Sequence, residues 1–404
     1  MKTSAAAAAV VVLAVSVATL VGSQELQPGE PLPGLTPEQL RAFDVGKEGF
    51  EETAGAGAGL GPFFNAASCA ECHAHPTTGG VAPPDRPELR ELRIGRLTTT
   101  GQFDPLLGLG GPVLHRQGLG DLPAAQTAGL PSSCASVRGT TTPPPEAQFA
   151  SVRIPTPVFG AGLVEAIAAE ELLRRADPGD RNRDGVSGRA HVVGANVGRF
   201  GWKAQHAGLM AFAGEASLTE LGITNPLAPV EAHALRGGGA GEAARACDAV
   251  HEQEDTGEGV VSFSNFMLLL GPPPRGPITP PVVAGEQLFR RAGCDGCHVP
   301  ELRTGPNAIA ALHRKPVPLF SDLLLHDVGT GDGIVQGDAT GREFRTAPLW
   351  GLRFRPLLLH DGRAPDVMEA IRAHRGEATR ASDTVLRRFT ARERESLLAF
   401  LRSL

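Results

Sequence analysis

The chain has 404 residues, a formal net charge of -6 and a pI near 6.1, with 41% hydrophobic and only 5% aromatic residues. An acidic balance of this kind excludes nucleic acid as a partner, and the length suits two domains with a core each. Tyrosine is absent and Trp202 and Trp350 are the only tryptophans, which limits the side chains able to carry a radical.

Lys2 opens the chain, an apolar run extends from Ala5 to about Leu20, and Gly22 and Ser23 follow. Residues 1–23 therefore read as a secretory signal, which makes the mature protein soluble and periplasmic or otherwise exported. A retained anchor is the alternative, weakened by the many alanines; no later stretch is long and apolar enough to span a bilayer. Over 36–52, Thr36 and Pro37 supply a cap and first turn, and Leu40, Phe43 and Phe50 recur at near-helical spacing. A glycine-rich approach then leads to CAECH, with Cys69, Cys72 and His73. Residues 76–160 are rich in Gly, Pro and Thr and predict loops and short strands.

Residues 161–175 predict a helix with Glu165 near its start. After it, Asp180, Asn182, Asp184 and Gly185 match the opening of a calcium loop. The closing acid is missing, since position twelve is His191, so an Asx-rich turn is the competing reading. Residues 198–222 predict a further helical segment with a buried face. The stiff run GPPPRGPITPP at 271–281 marks a boundary. It separates an N-terminal domain, 24–275, from a C-terminal one, 282–404.

The second domain opens on GEQLFRRAGCDGCH, which carries Cys294, Cys297 and His298. C-x-x-C-H is the attachment run of a c-type haem: two thiols reach the porphyrin vinyl groups and the next imidazole ligates the iron. Zinc or a dithiol redox pair also uses C-x-x-C. Neither needs the adjacent histidine, and the two copies lie too far apart in the chain for a clustered zinc site. Two haem c groups are the expectation. The final segment, TARERESLLAFLRSL, has a capping box at Thr390 and Glu393 and an apolar stripe through Leu397, Leu398 and Leu401. Opposite His298 the candidates are His313, His326, His360, His374 and Met368. Only His374 shares a helical stripe with Val367, Ala370 and Ile371, so it is the expected distal ligand. Cys134 and Cys247 either pair in an oxidising compartment or remain two buried thiols.

The chain resembles the di-haem oxidoreductases related to bacterial cytochrome c peroxidases, sometimes labelled thiol oxidoreductases. The resemblance rests on LGPFFNAASCAECH (60–73), TPVFGAGLVEAI (156–167), NRDGVSGR (182–189), GRFGWKAQ (198–205), SDLLLHDVG (321–329), EFRTAPLWGLR (343–353) and LLHDGRAPDVMEAIRAH (358–374). It implies a mainly α chain of two cytochrome c-like haem domains with long Gly/Pro-rich loops and a few short strands. It also implies electron transfer between two covalent haems and hydrogen peroxide as oxidant. The relatives suggest a homodimer served by a small donor protein of cytochrome c or cupredoxin type. They carry methionine where this sequence has His374, and a second imidazole lowers a haem's potential. Glu165, Lys203 and Trp202 lie in the matching motifs and His206 directly follows one, and all four are pocket candidates. Glu165 is the candidate general base, with an exposed helix carboxylate as its plainer reading; Lys203 is a propionate partner, and Trp202 an electron relay or simply core. A plain electron-transfer cytochrome, or an accessory in maturation or metal uptake, are the competing functions.

Overall fold

The computed structural model describes residues 27–404 apart from 124, 125, 128, 231–238, 251 and 252. The expected signal, 1–23, lies outside the described residues. The N-terminal helices are α1 (Pro37–Glu51), α2 (Cys69–Cys72), α3 (Ala161–Glu165), α4 (Ala169–Leu173), α5 (Leu209–Leu221), α6 (Gly239–Arg245) and α7 (Glu258–Leu269). After them come α8 (Pro280–Ala292), α9 (Val367–Ala373), α10 (Thr379–Asp383) and α11 (Ala391–Leu401). Among the described residues helix exceeds strand, at 36% against 13%, as a mainly α chain requires. Among the described residues no helix is long and apolar enough to cross a membrane.

Two crossed helix pairs organise the molecule. In α1, the Thr36 hydroxyl accepts from the Gln39 N–H at 3.2 Å while the Gln39 side chain accepts from the Thr36 N–H at 2.9 Å. This reciprocal box starts the helix cleanly. α1 then crosses α7 so closely that a Cβ on Gly46 would lie 2.4 Å from the Ser262 carbonyl. Only glycine permits that approach. One turn on, Phe50 packs on Phe266 at 4.9 Å between ring centroids. The second pair repeats the device. A Cβ on Gly285 of α8 would meet the Ser396 carbonyl of α11 at 2.0 Å, and Phe289 meets Phe400 at 5.2 Å. The predicted capping box of Thr390 and Glu393 is present at the start of α11.

A core surrounds each pair, although Leu302, Leu312, Val317, Leu319, Leu323 and Trp350 join the core of the first pair rather than the second. Between α2 and α3, strand Glu91–Leu97 pairs antiparallel with Phe103–Asp104, Val113–Leu114 and Phe149–Arg153. Cys134 and Cys247 form a disulfide across 113 residues.

Two expected helices are shorter than the periodicity predicts. Over 161–175 the helix breaks between α3 and α4. The buried Arg199 guanidinium takes the carbonyls of Glu165 and Ile167 at 2.8 and 2.6 Å, acceptors that a continuous helix would use itself. Over 198–222 only α5 is helical. The preceding residues fold back, pairing Phe200 with His206 through a tight turn in which Ala204 adopts φ 53°.

Candidate functional site

α2 is a single turn, capped by Ser68, whose hydroxyl accepts from the Glu71 N–H at 3.2 Å. That turn puts Cys69 and Cys72 on one side, with His73 directly after them. His73 Nδ1 lies 2.9 Å from the Gly80 carbonyl, so it carries the proton and leaves Nε2 with its lone pair. Phe50 of the first helix pair backs the ring at 5.8 Å. Burial lowers the His73 pKa, which keeps the imidazole neutral, as a metal ligand must be. Burial also pushes the Cys69 thiol up to about 12 and raises Cys72 well above the ordinary range. A redox dithiol needs the opposite shift.

The cavity beside these residues, about 150 Å³, is lined by His206, Trp202, Glu91 and Arg93, and by Glu215 and Glu220 of α5. Glu220 is half-buried and accepts from Asn65 Nδ2 at 2.9 Å. Burial, reinforced by the nearby charge of Glu91, pushes its carboxyl up to about 8. Glu215 pairs with His206 Nε2, and Arg93 Nη2 stands 3.8 Å from it. Burial raises Glu215, but the His206 hydrogen bond and the charges of His206 and Arg93 outweigh it and leave the carboxyl below its usual range. Two carboxyls five residues apart on one helix are thus held in opposite protonation states.

At the second centre, α8 stops at Gly293, which has φ 85°, and Cys294, Cys297 and His298 follow. His298 Nδ1 is 3.0 Å from the Phe320 carbonyl, and Phe289 backs the ring at 6.4 Å. His374 ends α9, which Asp366 caps by accepting from the Glu369 N–H at 3.0 Å. Its Nδ1 lies 2.6 Å from the Ala370 carbonyl. Both imidazoles therefore keep Nε2 free, and both line one cavity of about 920 Å³. Burial, with His374 adding to it, drives His298 down to about 4. His326 has the opposite character. Its Nε2 is 2.9 Å from Asp322 Oδ2, its Nδ1 2.8 Å from Glu377 Oε2, and Cys297 Sγ lies 3.7 Å from Nδ1. Burial opposes the charge, yet these partners hold it up to about 12. With both nitrogens committed, His326 is not free to ligate a metal.

The donor sets fit covalently held haem: paired neutral thiols and a half-buried imidazole with a free Nε2 at each site. The second cavity lies within the roughly 300–1,000 Å³ that cofactor-sized ligands occupy. The first falls short of that range, so its walls must part for a whole macrocycle. Among the described residues, Cys297, Asp322 and His326 are the group whose ligand atoms converge as for a metal, and no such group forms around Cys69 and Cys72. The two cavities share a wall. Ile154, Pro155, Thr156, Gly201 and Trp202 line both. The Trp202 indole N–H donates to the Ile154 carbonyl at 2.8 Å, which fixes the ring in that wall.

Other expected residues stand elsewhere. Glu165 lines neither cavity; its carboxylate accepts from the Leu209 N–H at 2.7 Å and caps α5, neither a pocket base nor an idle surface acid. Lys203 is fully buried and also lines neither. It donates to the Thr340 and Glu343 carbonyls at 2.8 and 2.7 Å and stands 3.3 Å from Asp332. Burial pulls it to about 8 although Asp332 resists. Around Asp180, Asn182 and Asp184 the oxygens accept backbone N–H groups of the same loop: Gly185 donates to Asp180 Oδ1, Asp184 to Asn182 and Val186 to Asp184. That is the Asx-rich turn. Glu215 and Glu220 were not among the expected site residues. Their signal was that they are the only charges in α5.

Residues 146–404 match the model of a family described as "Di-haem oxidoreductase, putative peroxidase". The chain belongs to this family. The match includes the second attachment run and not the first. No curated protein matches the chain. Among solved structures, it is similar to a MauG-like protein associated with microbial copper homeostasis, at 14% identity over 94% of this chain and 93% of that one, TM-score 0.41. It is also similar to the diheme peroxidase BthA from Burkholderia thailandensis, at 15% identity over 94% and 89%, TM-score 0.43. A hydrazine synthase chain from Kuenenia stuttgartiensis matches at 15% identity over 99% and 100%, TM-score 0.37.

Proposed function

We propose that the mature chain is an exported di-haem c oxidoreductase that reduces hydrogen peroxide at its N-terminal centre. Electrons arrive from a small donor protein through the C-terminal centre. The supporting observation is the pair of C-x-x-C-H sites, each with a free Nε2, on cavities that share one wall. Cys69 and Cys72 would hold one haem, with His73 as a ligand to its iron. Cys294 and Cys297 would hold the other, with His298 and His374 available to its iron. The two cytochrome c-like units correspond to 24–275 and 282–404, with the Leu302–Leu323 region packed across.

Bound haem supplies one-electron chemistry and, where one face is open, a place for peroxide. The protein supplies protons and position. Reduction of one peroxide to two waters takes two electrons and two protons. Glu220, protonated at neutral pH, holds a proton inside the first cavity, and the Glu215–His206 pair beside it can pass another. Trp202 stands in the wall that electrons must cross. The second cavity is lined by Asp184, Asp295 and Glu377, the last already bound to His326, and by two imidazoles with a free Nε2, so that centre is suited to storing and passing an electron. Calcium is not part of the proposal, because the Asx turn at 180–186 closes on its own hydrogen bonds.

His206 favours one competing reading: as a sixth ligand it would close the N-terminal centre and leave a plain electron carrier. Electron paramagnetic resonance on the oxidised protein separates the two. A high-spin ferric signal that peroxide removes supports the peroxidase; two low-spin signals that peroxide leaves unchanged, in the oxidised and half-reduced states alike, reject it.

A further inference from the structure

Among the described residues, the large cavity is lined by two arginines that have no acid of their own, one buried and one half-buried. Arg345, 8% exposed, donates from Nε to the Gly201 carbonyl at 2.9 Å and from Nη1 to the Thr346 carbonyl at 3.4 Å. Arg355 donates from Nη2 to the Pro348 and Trp350 carbonyls at 2.9 and 3.3 Å, and its Nε is buried without a partner. Both guanidiniums line the cavity that holds Cys294, Cys297 and His298. Other interior cations are treated differently. Arg153 and Lys203 share Asp332, and Arg93 has Glu91. Arg199 is spread over four carbonyls. Asp322 is the only acid that acts on Arg345, and its carboxylate is already bound to His326. Burial pulls both arginines down to about 10, and Arg355 adds to the effect on Arg345.

A buried guanidinium beside a second one whose Nε is buried without a partner is costly unless an anion joins them. A guanidinium presents a planar fork that matches a carboxylate. The occupant proposed for this cavity carries two carboxylates. We infer that Arg345 and Arg355 are the seat of a propionate carboxylate of the C-terminal haem, an assignment that rests on the haem reading above. The seat lies against the shared wall, because the Arg345 N–H donates to the Trp202 carbonyl at 2.8 Å. The two arginines are positioning residues: they fix one edge of the macrocycle and place positive charge beside its iron.

The test uses the full chain matured in a host competent in haem attachment, as wild type and as R345Q, R355Q and R355K. Intact mass first counts the covalent haems. Redox titration then follows the C-terminal haem by its low-spin spectrum. Each glutamine variant is expected to shift that haem toward the ferric state about tenfold, which is about 59 mV for one electron. R355K should recover most of the shift, and all variants should keep the bis-histidine spectrum. Two attached haems with an unmoved C-terminal potential in both glutamine variants would overturn the seat while leaving the haem reading intact. A wild-type mass lacking the second porphyrin would overturn both. Should the glutamine variants fail to fold, wild type and R355K still decide the matter. A potential that follows inorganic phosphate at constant ionic strength would show a solution anion in the seat and reject the propionate; independence of phosphate, with R355K near wild type, upholds it.

Discussion

The two C-x-x-C-H centres are built alike on the side of the histidine that closes each run and unlike across the cavity from it. In each, a helix carries glycine and, four residues later, phenylalanine: Gly46 and Phe50, then Gly285 and Phe289. The glycine lets a partner helix cross at contact distance, and the phenylalanine backs the axial imidazole. In each, a backbone carbonyl takes the Nδ1 proton. Above that base the two diverge. The first cavity is tight and collects Glu215, Glu220, His206 and Arg93, whereas the second is roomy and is faced by His374. A common lower half makes both sites competent to hold a metal. In the proposed reading, the upper half decides whether protons or only electrons are handled there.

The sharpest break in that contrast is Glu220→Gln. Loss of a proton-handling group typically costs 10²- to 10⁴-fold, so peroxide turnover should fall by about that factor while the C-terminal haem's spectrum and potential stay fixed. Stopped-flow peroxide kinetics on the half-reduced enzyme reads it; turnover within threefold of wild type would remove Glu220 from the proposal. The same residue predicts a pH effect on stability. Its carboxyl is raised from 4.5 to about 8, so the folded chain keeps a proton that the unfolded chain releases across that window. The contribution is full below 4.5 and is lost as pH climbs toward 8. Urea midpoints should therefore fall between those pH values in wild type, and less in the glutamine variant.

Next in size is Asp332→Asn, which strips the one carboxylate shared by Arg153 and Lys203, all three at most 3% exposed. Breaking a buried pair costs about 3–5 kcal/mol. Thermal unfolding should register a loss of that order, and a variant as stable as wild type would show the cluster is held otherwise. His374→Met tests the second centre from its upper side. Methionine should raise the C-terminal haem's potential and leave the N-terminal one in place, and an unmoved titration curve would disqualify His374 as ligand. The smallest effects test the symmetry of the framework. Thr36→Ala and Thr390→Ala each remove one capping box and should each cost about 1 kcal/mol. Clearly unequal losses in chemical denaturation would mean that the two helix pairs are not energetic equivalents.

The shared lower half was legible in the sequence because its parts are local. Both C-x-x-C-H runs and the capping boxes at Thr36 and Thr390 each lie within a turn or two of chain, and so does the stripe that carries His374 on the opposite side of the second site. Glu165 and Lys203 misled because their partners are distant: Leu209 lies 44 residues on and Asp332 well over a hundred. The extent of α3 was hidden for the same reason, since Arg199 captures its last carbonyls from outside. Glu215 and Glu220 gained their roles from Arg93, Glu91 and Asn65, which a different part of the chain delivers. Spacing left the pairing of Cys134 with Cys247 open, and only the fold joins them.

Trp202, held between the two cavities, has a consequence for how such a protein can change over time. A substitution that improves one centre through this wall alters the neighbour of the other in the same stroke. Divergence in oxidant or donor should therefore proceed at the far sides, on α5 and α9, while the partition drifts slowly and only with compensation from both directions.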